Sequence, residues 1–163
     1  MGSGKTYWGR LWAANHGLDF FDLDAVIEAE EGRSISAIFE EKGEDYFRVT
    51  ESRLLKNFAF KNNFLMACGG GTPCYYDNMQ WMIENGTTLF LSASPKFLAE
   101  RMEGDSSRPL LKAMSPVELL AFIEQKLVER EPFYYRAKRV LKVDRESQES
   151  LSSIKFDQFM KDA

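Results

Sequence analysis

The chain has 163 residues, 44% of them apolar, including thirteen Phe, six Tyr and three Trp, and carries a formal net charge of −4. That length and aromatic content predict one folded domain over 1–163 and exclude a disordered or collagenous chain. An acidic balance, two cysteines, no signal-peptide layout and no apolar run near the roughly 20 residues of a bilayer span leave a cytoplasmic monomer, without nucleic-acid or membrane partners, as the expectation.

Trp8, Leu11 and Trp12 recur at helical spacing and predict a helix that begins within the first few residues. Leu18 to Asp22 reads as a short buried strand, after which Asp24 is expected to cap a helix over Ala25 to Glu30 that stops near Gly32. Ser34 to Glu41 predicts a short helix ended by Gly43, and Glu44 to about Phe60 the longest one, with Phe47, Leu54, Leu55 and Phe58 inward. Phe64 to Ala67 is a strand running into the Gly69-Gly70-Gly71 loop. A helix over Asp77 to Glu84, a strand over Thr87 to Leu91 and a helix from Ser94-Pro95 to about Glu103 follow. The small polar residues from Gly104 to Pro109 predict a surface loop, within a lid near 104–113. A helix from Ser115-Pro116 to about Glu131, a strand over Val140 to Val143 and a closing helix from Glu149 to Met160 complete the chain. Strands separated by helices imply right-handed crossovers and a parallel sheet between helical layers, hence a three-layer α/β fold.

Gly2-Ser3-Gly4-Lys5-Thr6, opening a helix, is the back half of the G-x-x-x-x-G-K-[ST] phosphate loop. Glycines let backbone N–H groups converge on an anion, the helix N-terminus adds partial positive charge, Lys5 reaches the β and γ phosphates, and the Thr6 hydroxyl suits Mg²⁺. The first Gly of the pattern would stand before Met1, as would the central strand that leads into such loops, so a sheet short of its first strand is expected. Asp22-x-Asp24 at a strand end suits one carboxylate for a metal shell and one for a substrate hydroxyl, although a capping Asp24 and a solvated Asp22 explain the pair equally well. A triple Gly after a buried strand marks close approach of a ligand or chain, or simply a flexible loop. Arg48, Arg108 and Arg130 are candidate anion ligands, each with a surface ion pair as the plainer alternative. His16 reads as a helix C-terminal residue, Cys68 as a small core residue, Cys74 as incidental, and Trp8, Trp12 and Trp81 as packing.

Together these strings resemble the shikimate kinase family along nearly the whole chain: the Gly2–Thr6 loop; Phe21-Asp22-Leu23-Asp24 with Ile27-Glu28; Gly32-Arg33-Ser34-Ile35 with Ile38-Phe39; Gly43-Glu44 with Phe47-Arg48 and Glu51; Gly69-Gly70-Gly71; Arg108-Pro109-Leu110-Leu111; and Arg130-x-Pro132-x-Tyr134. The resemblance implies a nucleoside-monophosphate-kinase-like fold, with ATP and Mg²⁺ as nucleotide and metal. The implied reaction is transfer of the γ-phosphoryl group of ATP to the 3-hydroxyl of shikimate, on the route to chorismate and the aromatic amino acids. It further implies that Asp24 orients or deprotonates that hydroxyl, that Arg48 and Arg130 clamp the substrate carboxylate, and that Gly70 and Gly71 offer it backbone N–H groups. Thr6 and Asp22 would hold Mg²⁺, Arg108 would reach the phosphates from the lid, and Arg101 would pack on adenine. Another kinase of the same fold, of the gluconate or nucleotide type, fits the paired Arg48 and Arg130 less well, and an inactive binding protein is the reading from a different class.

Overall fold

A run of residues from the phosphate loop onward folds as the periodicity predicts, into helices that cover short parallel strands. The computed structural model describes residues 2–102 and 114–145. The expected lid, with Arg108, and the expected closing helix lie outside the described residues. Helix α1 (Lys5–His16) leads to strand β1 (Asp19–Asp22), then α2 (Leu23–Glu31), α3 (Ile35–Lys56) and a 3₁₀ turn at Asn57–Phe60. Strand β2 (Phe64–Ala67), a second 3₁₀ turn (Thr72–Cys74), α4 (Asn78–Asn85), β3 (Leu89–Ser92), α5 (Pro95–Met102), α6 (Pro116–Tyr134) and β4 (Arg139–Lys142) follow.

The strands pair in parallel, β1 with β2 in the register Asp19 to Phe64 through Asp22 to Ala67, and β3 with β4 in the register Leu89 to Arg139 through Ser92 to Lys142. Helices join the two members of each pair, as parallel pairing requires. Among the described residues the two ladders remain separate two-stranded sheets. Helix α1 ties them together. Its Trp8 and Trp12 are buried in one cluster with Leu91 of β3, Phe97 of α5 and Val143, and Leu65 of β2 and Leu141 of β4 pack around them. A second cluster joins Leu23 and Ile27 of α2 to Ile38, Phe47, Leu54 and Leu55 of α3, and a third joins Leu98 and Met102 of α5 to Leu119 and Ile123 of α6.

Two boundaries differ from expectation for identifiable reasons. Asp22, not Asp24, is the N-cap of α2: its side chain accepts the Asp24 amide N–H, so the helix starts as soon as β1 ends. Gly43 divides α3 into two helical stretches, as expected, by taking φ 79° and ψ 172°, a non-helical conformation open to glycine alone that puts a kink between them. Helix α6 runs through Pro132 to Tyr134 rather than stopping near Glu131. The carbonyl of Val128, which loses its N–H partner to the proline, sits at an exposed position where water can replace it.

Candidate active site

Helix α1 begins at Gly4, whose left-handed φ of 86° turns the chain from the loop into the helix without a side-chain cap. The first-turn amides, with the positive end of the helix dipole, therefore face the loop, as an anion cradle requires. Ser3 is buried in this turn. Thr6 Oγ1 donates to Asp22 Oδ2 at 2.8 Å, and Asp22 Oδ1 accepts the Asp24 amide at 3.1 Å. One carboxylate thus fastens the phosphate loop to the carboxyl end of β1. The ring of Trp8 and the Arg101 guanidinium lie against Gly4, since a Cβ there would meet Trp8 Cδ1 at 3.1 Å and Arg101 Nη2 at 3.3 Å. The end of α5 thereby reaches the same loop.

Asp24, in the first turn of α2, faces the Gly69–Gly71 loop: a Cβ on Gly69 would lie 3.3 Å from Asp24 Oδ1, 3.3 Å from Glu51 Oε1 and 3.2 Å from Thr72 Oγ1. Desolvation raises the Asp24 carboxyl above its ordinary range, Asp22 and Glu51 push it further up, and the Lys5 ammonium opposes them. The group is a stronger proton acceptor than a free aspartate, and the phosphate-loop lysine is close enough to act on its charge.

Arg48 lies on the other side of the glycine loop, only 8% exposed. Its Nη1 donates to Glu51 Oε2 at 2.8 Å, while Nε and Nη2 donate to Glu44 Oε1 at 3.1 and 3.0 Å. Burial alone would lower its affinity for the proton, but Glu51 and then Glu44 outweigh that and hold it firmly charged. Glu51 is fully buried and also accepts from Thr72 Oγ1 at 2.6 Å. Asn78 Nδ2 donates to the Thr72 carbonyl at 3.0 Å and Asn78 Oδ1 accepts from Ser52 Oγ at 2.6 Å, so the buried side chains of Glu51, Thr72, Ser52 and Asn78 partner one another. Gly71 has to lack a side chain, because a Cβ would stand 2.6 to 2.8 Å from Arg48 Nη2, Nη1 and Cζ. Tyr134 Oη donates to the Gly70 carbonyl at 2.6 Å and joins α6 to the same loop. Arg130, four residues earlier on α6, lines a small cleft with Tyr134, Leu98 and Ile123, and its charge acts on Glu44 and Cys74.

The two halves of the expected site are thus adjacent: Gly2, Ser3, Gly4, Lys5, Thr6, Asp22 and Arg101 on the loop side, Asp24, Arg48, Gly70, Gly71 and Arg130 on the other. Glu44, Glu51, Thr72, Tyr75, Asn78 and Tyr134 were not assigned from sequence. Glu44 and Glu51 stand four residues before and three after Arg48, which is the spacing of same-face partners on a helix and could have flagged both. Burial pushes the Cys68 thiol up to about 12 and raises that of Cys74, so neither is an activated nucleophile.

The model of the shikimate kinase family matches residues 1–160. The shikimate kinase of Parabacteroides distasonis is 44% identical over 138 residues, covering 84% of this chain and 80% of that protein. That of Phocaeicola vulgatus is 39% identical over 161 residues, covering 95% and 92%. Among solved structures, the shikimate kinase of Bacteroides thetaiotaomicron superposes with a TM-score of 0.90 at 35% identity over 99% of this chain and 94% of that one. An Acinetobacter baumannii shikimate kinase in complex with shikimate superposes with a TM-score of 0.87 at 28% identity, covering 99% and 89%. A phosphate loop fastened to a strand-end aspartate, and matches of this extent in both sequence and fold, make the same assignment: the chain belongs to the shikimate kinase family of ATP-dependent kinases.

Proposed function

We propose that this chain transfers the γ-phosphoryl group of ATP to the 3-hydroxyl of shikimate. The observation that carries the reading is the convergence on one glycine loop of a proton-accepting carboxylate, Asp24, and a buried guanidinium, Arg48, directly beside the phosphate loop. A neutral polyol has no use for the second of these groups, whereas a hydroxy acid needs both.

The loop amides and Lys5 hold the β and γ phosphates and neutralise charge as the phosphoryl group moves. Arg101, against Gly4, borders the nucleotide, and Arg108 is assigned to the phosphates on its sequence context alone. Arg48 and Arg130 hold the substrate carboxylate, Gly70 and Gly71 supply amides to the same ligand, and Asp24 takes the proton of the attacking hydroxyl. The oxygens of Thr6 and Asp22 form a hard donor pair of the kind Mg²⁺ takes in company with phosphate oxygens, so these residues fit the metal. When bound there, Mg²⁺ supplies neutralising charge on the phosphates.

ADP release measured with shikimate, gluconate and nucleoside monophosphates as acceptors tests the proposal. Shikimate-dependent turnover is expected. Turnover with gluconate or a nucleotide but not with shikimate overturns it. Arg130→Ala is expected to cost on the order of 2 to 5 kcal/mol of shikimate affinity while leaving ATP affinity nearly unchanged, as calorimetry with each ligand will show.

A further inference from the structure

The guanidinium of Arg48 is enclosed on every side. Tyr75 covers one face, its ring centroid 4.2 Å from Cζ, and Phe47 lies 4.9 Å away. Glu51 takes Nη1, Glu44 takes Nε and Nη2, and Gly71 closes the end. A ligand carboxylate cannot reach this arginine unless one of its covers leaves. Phe47 and the Glu51 side chain are 3% and 1% exposed, and Gly71 is backbone, so those three are fixed. Glu44 and Tyr75 are different: the Glu44 side chain is 50% exposed and Tyr75 is 36% exposed. They also hold each other, Tyr75 Oη donating to Glu44 Oε1 at 2.9 Å.

Glu44 Oε1 sits on the Nε–Nη2 edge, the fork by which a guanidinium binds a carboxylate side-on. We propose that Glu44 is an internal stand-in for the substrate carboxylate, held on Arg48 by Tyr75 and displaced when the substrate binds, so that these two residues set the affinity and selectivity of the clamp. The inference rests on the reading of Arg48 as a carboxylate ligand. The field at Glu44 supports it: the Tyr75 hydrogen bond chiefly, with Arg48 and Arg130 adding to it, holds the Glu44 carboxyl below its ordinary range, so it already lies under the influence of both clamp arginines. An anion that must evict a carboxylate gains less than one meeting an open arginine, which disfavours small adventitious anions over a ligand that also engages Asp24 and the glycine loop.

The test measures shikimate and shikimate methyl ester binding by calorimetry on the full chain, as wild type, Glu44→Gln, Tyr75→Phe and the double variant. Glu44→Gln is expected to tighten shikimate binding by roughly two- to fivefold, the range of a half-exposed ion pair, and to leave the uncharged ester unchanged. Tyr75→Phe tightens shikimate binding in the same direction and adds nothing once Glu44 is Gln. Unchanged or weaker shikimate binding in Glu44→Gln overturns the inference, as does an equal gain for the ester. If wild type binds acid and ester equally, the carboxylate clamp itself fails. If wild type prefers the acid and Glu44→Gln brings no gain, only the stand-in fails.

Discussion

Asp24 carries a stability cost that depends on pH. Its carboxyl is raised in the folded protein, chiefly by desolvation, so the fold binds that proton more tightly than the unfolded chain does. The associated stability is present at low pH and is lost as pH rises through the folded value, where the ionised group sits poorly solvated between Asp22 and Glu51. Asp24→Asn, neutral at every pH, is expected to raise the urea midpoint at pH 7 and to lose that advantage as pH falls toward the carboxylate range. If Asp24 takes the hydroxyl proton as proposed, turnover of this variant should also drop by about 10²- to 10⁴-fold. Equal midpoints at pH 7 would contradict the assignment. At this scale the sequence named the groups but not their partners. Thr6, Asp22 and Asp24 are close enough along recognisable strings to be grouped without coordinates, whereas Tyr75 meets Glu44 only because the glycine loop folds back over α3.

Elements were legible where one periodicity dominated and less so where two signals met. The Trp8, Leu11, Trp12 spacing located α1, but nothing in it showed why residue 9 is glycine. A Cβ there would come within 2.6 Å of the Phe20 ring and 3.0 Å of Leu65 Cδ2, so Gly9 is where the helix touches β1 and β2. In an ordinary helix interior, glycine to alanine gains up to about 1 kcal/mol. Here Gly9→Ala is expected to lose about 1 to 3 kcal/mol, because the helix must lift from both strands; a chemical-denaturation curve gives the sign directly. The α2 start was misplaced for a related reason: two aspartates in three residues both look like caps, and only the end of β1 decides for Asp22. Ser115 was unambiguous as a helix start, and the structure adds a capping box with Glu118 that the sequence reading did not name.

For the whole molecule, the class of fold was readable from the alternation of strands and helices, and the family match and superpositions agree with it. The dependence of two separate ladders on one helix was not readable, since it arises from side chains distant in sequence. Trp12 is 3% exposed in the cluster that joins α1 to β3, α5 and the neighbourhood of β2. Trp12→Ala is expected to cost about 3 to 5 kcal/mol, a large share of the 5 to 15 kcal/mol typical of a domain. Urea unfolding followed by circular dichroism tests this, and a loss below about 1 kcal/mol would mean that α1 is not the tie between the sheets.

The three tryptophans also divide the molecule optically. Trp8 and Trp12 stack with ring centroids 6.0 Å apart, and the buried Trp8 indole N–H has no hydrogen-bond partner among the described residues while its ring lies against Gly4 of the phosphate loop. Trp81 belongs instead to the cluster beneath α2 and α3. Intrinsic emission therefore carries two channels, one beside the phosphate loop and one beneath α2 and α3, the two halves of the proposed site. Titration with ATP should change the fluorescence of a Trp81→Phe protein and leave that of a Trp8→Phe, Trp12→Phe protein nearly flat, which gives each half of the site its own reporter without a label.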